Sequence, residues 1–185
     1  MAIPLRSPVT SYPTPSEGGI SASGKHEFLS PDWIHEVVEA VEEVKRSDPY
    51  FGGLVADFSF RVAYVVEEPP AALRQWYGDG GDLVISVDLK QGVVNRLEFG
   101  DKIPKKGVSL VVTTTYRVAK KLYLGEMSPA SSMLGGRVRV KPSSGFRAWA
   151  KLAPKSLVTA SRVIRIGRGV ETAFDSQPKR TRRRR

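Results

Sequence analysis

The chain has 185 residues, 41% of them hydrophobic, enough for one ordinary domain with a real core and too few for two generous ones. It contains no cysteine, which excludes a disulfide framework, a thiolate metal site and a cysteine nucleophile. Of the net charge of +10, six units come from Lys179, Arg180, Arg182, Arg183, Arg184 and Arg185, leaving +4 for everything else, so the basic excess belongs to one end and not to a folded face.

No run of about 18 apolar residues occurs, and the first ten residues hold two prolines without a sustained apolar stretch. Neither a membrane span nor a secretory signal is expected, and the reading is a soluble cytoplasmic protein. Residues 1–27 carry Pro4, Pro8, Pro13 and Pro15 among serines and glycines, the composition of a flexible leader. The domain is expected over 28–166, followed by a basic disordered tail at 167–185.

The first helix is expected from Pro31 to about Lys45. Ser30 is a good N-cap, Pro31 suits the first helical position and Leu29 can staple onto Ile34. Trp33, Ile34, Val37, Val38, Val41 and Val44 give it one apolar face. The helix must stop at Asp48-Pro49. From 56 to 66, Phe58, Phe60, Val62 and Tyr64 alternate with Asp57, Ser59 and Arg61, predicting a long strand that Pro69-Pro70 breaks. A short helical or irregular excursion over 71–77 turns Leu73 and Trp76 toward the body. The turn Asp79-Gly80-Gly81-Asp82 then leads into a strand at 83–89, and Lys90-Gln91-Gly92 leads back through a strand at 93–99 as an antiparallel hairpin.

After a turn at 100–107 comes a β-branched strand at 108–114, then a helix at 116–124 with Tyr116, Ala119, Leu122 and Tyr123 on one side. The stretch 122–141, LYLGEMSPASSMLGGRVRVK, packs several signals together. Gly125 can stop a helix in the left-handed conformation, and Ser128-Pro129 can start another. Gly135-Gly136 ends it, and Arg137-Val138-Arg139-Val140 alternates as a half-buried strand. A last helix is expected within 145–152, where Phe146, Trp149 and Leu152 recur, with Pro154 interrupting it; the state of 157–166 stays open. The fold class is α+β: a single domain with about five strands in a mainly antiparallel sheet covered by helices.

Few constellations could carry chemistry. His35 and Glu39 lie one helical turn apart, yet a zinc site needs further protein ligands. His26 falls in the leader, where nothing would orient it. Asp79-Gly80-Gly81-Asp82 lacks the lysine and helix of a phosphate loop and reads as a turn. Asp57 and Asp88 make a conceivable acid/base pair that no spacing brings together, and Ser131-Ser132 and Thr113-Thr114-Thr115 have no histidine beside them in sequence. No metal and no cofactor is expected. The apolar inventory of the first helix, the 127–134 element and the last helix would suit either a lipid-holding cavity or a plain core, and periodicity alone favours the core.

Gly125-Glu126-Met127-Ser128-Pro129, then Met133-Leu134, then Gly136-Arg137-Val138-Arg139-Val140 closely resemble a signature of the sterol carrier protein type two family of lipid-binding domains. The likeness extends more loosely from about Leu83 to Leu152, with a family-like first helix. The chain departs from the pattern at Ser143-Ser144-Gly145-Phe146 and in running about thirty residues past its last helix. The resemblance implies a five-stranded sheet and helices around an apolar cavity that holds sterols, fatty acids, acyl-coenzyme A esters or phospholipids without chemistry. It implies a wall of Phe58, Phe60, Leu122, Met133, Leu134, Phe146 and Trp149, with Trp33, Val37 and Met127 from the same apolar inventory.

The function expected is a non-catalytic intracellular lipid carrier presenting its ligand to enzymes or membranes. Two alternatives are an enzyme or accessory subunit beside a thiolase-like partner, and a basic scaffold for protein or nucleic acid. The tail residues Lys179, Arg180, Arg182, Arg183, Arg184 and Arg185 are expected to meet an anionic membrane or partner, each contributing about 1 kcal/mol near such a surface. Nucleic acid is the less favoured partner, because the folded part carries no reading motif.

Overall fold

The computed structural model describes residues 25–143 and 146–174, and the side chains of 146–152 lie outside this description. In chain order the elements are β1 (His26–Glu27), α1 (Pro31–Ser47), α2 (Pro49–Val55), β2 (Phe60–Glu67), α3 (Ala71–Tyr77), β3 (Leu83–Lys90), β4 (Val93–Gly100), β5 (Leu110–Thr115), α4 (Tyr116–Leu124), α5 (Pro129–Leu134), β6 (Arg139–Pro142), α6 (Phe146–Gly167) and β7 (Thr172–Ala173). The α+β expectation holds.

Local chemistry sets most of these boundaries. The Ser30 hydroxyl accepts from the Trp33 N–H at 3.2 Å with Pro31 in the first turn, and Ser128 caps α5 in the same way through the Ser131 N–H at 3.1 Å. Gly125 closes α4 at φ 80°, a left-handed conformation that glycine takes without a Cβ clash. Between β3 and β4, Gln91 and Gly92 both have positive φ, the geometry of a two-residue turn whose twist matches the strands. A Cβ on Gly92 would lie 2.5 Å from the Val55 carbonyl oxygen, so only glycine lets α2 approach this turn.

The main sheet has the order β4-β3-β2-β5-β6. β2 pairs parallel with β5, and the other three pairings are antiparallel. Register divides the sheet into two faces. Phe60, Val62, Tyr64 and Val66 of β2 share one face with Leu83, Ile85, Val87 and Leu89 of β3 and with Leu110 and Val112 of β5. Phe28, Trp33, Val37, Leu73, Tyr77, Tyr116 and Tyr123 pack with Val66, Leu83 and Ile85, so this is the helix-facing side. On the opposite face Ala63, Val65 and Val84 are buried together, with Val108 packed against them. Val108 belongs to the 101–109 connection that carries the chain from the β4 edge to β5, so that connection crosses the outer face.

Several features depart from the sequence reading. The expected strand at 56–66 is preceded by helix α2: Asp48 ends α1 and its carboxylate accepts from the Phe51 N–H at 3.0 Å, starting α2 with Pro49 in its first turn. β6 begins at Arg139 instead of Arg137, because the Arg137 and Val138 N–H groups both donate back to the Ser132 carbonyl. Pro154 does not end the last helix. It lies inside a continuous α6 of 22 residues, losing one backbone donor, while Val163 and Ile166 farther along pack on Phe51, Val55 and Phe58. The ordered elements also pass the expected limits of 28 and 166: β1 pairs parallel with β7, His26 opposite Thr172 and Glu27 opposite Ala173, and Val170 is buried. Residues 1–24 and 175–185, with the tail cations, lie outside the described residues.

Candidate functional site

An aromatic knot ties the two ends of the described chain together. Phe28 lies 4.9 Å from Trp33 and 5.1 Å from Tyr123 between ring centroids, and Phe174 is 5.3 Å from Phe28. The Trp33 indole N–H donates to the Thr172 hydroxyl at 2.8 Å, and the Tyr123 hydroxyl lies 3.0 Å from the Gly167 carbonyl and 2.7 Å from the Thr172 hydroxyl. Nearby, the Tyr77 hydroxyl donates to the Leu29 carbonyl at 2.6 Å, and burial pushes this phenol far above its ordinary pKa. Trp33 and Val37, expected on a ligand wall, sit in this close-packed region. Phe58 is buried against Phe51 and Val55, with the Phe60 ring 5.4 Å away.

The helix-facing side changes character toward β5 and β6. Every residue of β5 is only half-buried, and Val140 of β6 is half-buried as well. At the boundary stands Tyr64, in the middle of the central strand, between Ile85 of β3 and Val112 of β5. Val62 and Val66 before and after it are buried, whereas Tyr64 keeps 42% of its surface accessible. Desolvation nonetheless raises its phenol pKa. Accessible surface and a desolvating surround thus meet at this ring.

The elements available to enclose that side are α4, α5 and α6, and α6 packs against α1, α2, α4 and α5. Helix α6 is fastened by two ion pairs: Arg162 with Asp48, and Lys155 with Asp57 at 2.6 Å. Leu122, Met127 and Met133 are half-buried, and the Met127 sulfur accepts from the Arg137 guanidinium at 3.8 Å. Leu134, expected on the wall, projects outward at 91% exposure; on α5 the fully buried residue is Ser132, whose hydroxyl donates to the Ser128 carbonyl at 2.8 Å. Helical spacing explains the exchange, since two residues turn the helix by about 200°. The Phe146 and Trp149 side chains lie outside the described residues.

The candidate chemical groups are occupied singly. Lys155 beside Asp57 holds its carboxyl below the usual range, and Asp88 accepts from the Asn95 amide at 3.2 Å. His26 is oriented after all, by its place in β1 and by Glu36, 2.9 Å away. His35 packs 5.7 Å from the Phe99 ring. Among the described residues no three His, Cys, Asp or Glu side chains gather to hold a metal, and no helix is long and apolar enough to cross a membrane. Tyr64 is not among the sequence-based candidates; its place in the alternating 58–64 pattern was visible, but alternation does not separate a fully buried strand position from a partly accessible one.

This architecture matches solved structures. A crystal structure of sterol carrier protein 2 superposes with a TM-score of 0.59 at 17% identity, covering 78% of this chain and 99% of that one. A solution structure of a conserved hypothetical protein from Thermus thermophilus, described as a possible sterol carrier protein, gives a TM-score of 0.60 at 15% identity, covering 82% of this chain and 94% of that one. No family model and no curated protein matches the sequence. The chain has the sterol carrier protein 2 fold.

Proposed function

We propose that this chain is a non-catalytic carrier of apolar lipids, holding a sterol or steroid, fatty acid or acyl-coenzyme A ester between its sheet and the α4, α5 and α6 layer. The observation that carries the reading is the half-open helix-facing surface along Tyr64 and β5, at mid-sheet, where a simple core would be closed. The fold likeness to sterol carrier protein 2 supports it. Burial alone supplies affinity for such ligands, at about 0.8 kcal/mol per methylene removed from water, so no reacting group is required. Phe60, Leu122, Met127, Met133, Phe146 and Trp149 are the proposed wall. The basic residues from Lys179 to Arg185 are proposed to bring the carrier to anionic membrane surfaces inside the cell, where it would hand its ligand to lipid-metabolising enzymes.

Native mass spectrometry of the purified full chain, followed by organic extraction, tests the reading. A co-purifying apolar molecule, or stoichiometric uptake of an added sterol or fatty acid, is the expected result. A chain that stays empty and takes up neither class would overturn it in favour of a scaffold with a solid core.

A further inference from the structure

Resting on the carrier reading, the surroundings of Tyr64 narrow the ligand class. Tyr64 lies in the middle of the central strand, so it has no sheet edge at which to be exposed, and the register places it on the helix-facing side of the sheet. Its hydroxyl has no hydrogen-bond partner among the described residues. The ring's strand neighbours on that side, Val62, Val66, Ile85 and Val112, are all apolar. The charged side chains of these strands, including Arg61, Asp88, Arg139 and Lys141, occupy alternate positions and therefore the other face. The nearest hydroxyl on the same side of β5, that of Thr114, already donates to the Arg137 carbonyl at 3.2 Å. Among the described strand residues of this face, one neutral donor and acceptor thus stands in an apolar surround.

We infer that the Tyr64 hydroxyl is the polar anchor of the ligand, and that the ligand group it meets is an uncharged oxygen, an alcohol, ketone or ester, on an otherwise apolar skeleton. An ionised carboxylate or phosphate at this position would lose its hydration and find, in return, one neutral donor and no cation among the described strand residues of this face. A neutral oxygen gives up less water and regains a full hydrogen bond. The same unpaired hydroxyl penalises a skeleton with no oxygen, since filling the recess would then desolvate it without a partner.

Titrations of the full chain and of Tyr64→Phe with two matched pairs delivered from cyclodextrin, cholesterol against cholestane and hexadecanol against hexadecane, with palmitate alongside, test the inference. The variant keeps the ring, so its thermal midpoint should stay close to the parent's. For whichever skeleton binds, the parent should prefer the alcohol over both the hydrocarbon and palmitate. Tyr64→Phe should weaken the alcohol about three- to tenfold, the range of one neutral hydrogen bond, and leave the hydrocarbon unchanged or tighter. Equal losses for alcohol and hydrocarbon would mean that the ring acts by shape, and an unchanged alcohol affinity or a preference for palmitate would also overturn the anchor while leaving the carrier reading intact. Failure of the parent to bind any of the five would instead sink the carrier reading itself.

Discussion

The helix-facing side of the sheet is closed in two different ways. Over β2 and β3 it is sealed by large side chains from α1, α3 and α4, with Leu73 and Leu83 almost wholly withdrawn from solvent, and the Tyr77 and Tyr123 hydroxyls there reach backbone carbonyls. Over β5 and β6 the strand residues are half-buried, and the polar group at the boundary, on Tyr64, has no partner among the described residues. The first region has the burial of a core. The second has the surface chemistry of a core without its closure. A sheet with one sealed half can leave the other half open, because the sealed half and the ion pairs on α6 hold the fold together.

The largest effect should therefore follow from damage to the sealed half. Leu73→Ala should lower stability by about 2–5 kcal/mol, as expected where a fully buried leucine leaves a cavity, measured by urea unfolding. Its effect on lipid uptake should be no more than the loss of folded protein explains. A loss below about 1 kcal/mol would mean that this region is as loosely filled as the other, and the contrast would disappear.

The mirror experiment is Val112→Ala. Removing two methyl groups from a half-buried β5 residue beside Tyr64 should cost about 1 kcal/mol or less, yet weaken apolar ligands severalfold if those methyls touch ligand. A large stability loss without any change in affinity would place Val112 in an ordinary core.

How far this contrast was legible in the sequence depends on whether the signal was local. Helices α1 and α5 announced themselves through Ser30-Pro31 and Ser128-Pro129, and the hairpin through Gln91-Gly92, because caps and turns are fixed by adjacent residues. Helix α2 was hidden because Asp48-Pro49 was read only as the stop of the first helix, although it is itself a start signal. The β1–β7 pairing joins two-residue strands across almost the whole described chain, too short for any periodicity to register. At the site, apolar type was readable but direction was not. Met133-Leu134 looked like one apolar patch, yet Met133 is half-buried and Leu134 stands in solvent. Whether an alternating strand residue such as Tyr64 meets a side chain or a space depends on helices arriving from elsewhere in the chain.

The smallest effect concerns the fastening of α6 to the sealed half. Asp48 joins α1 to α2 and pairs with Arg162 of α6, whose guanidinium also lies 4.8 Å from the centre of the Phe51 ring. The Phe51 N–H donating to the Asp48 carboxylate, together with the Arg162 charge, holds that carboxyl below its ordinary value of 3.8. A depressed folded-state pKa contributes stability that is fully present above the unfolded value and is lost as the pH falls through the folded one. The urea midpoint should therefore fall between pH 5 and pH 3, and the fall should be shallower in Asp48→Asn, which keeps an oxygen for the Phe51 N–H but cannot titrate. Some slope should survive, because Asp57 is shifted in the same direction by Lys155, and Asp48→Asn with Lys155→Ala should flatten it further. Identical slopes in the parent and the double variant would mean that α6 is held by Val163 and Ile166 alone, and the sealed half would then owe its closure to packing without electrostatic help.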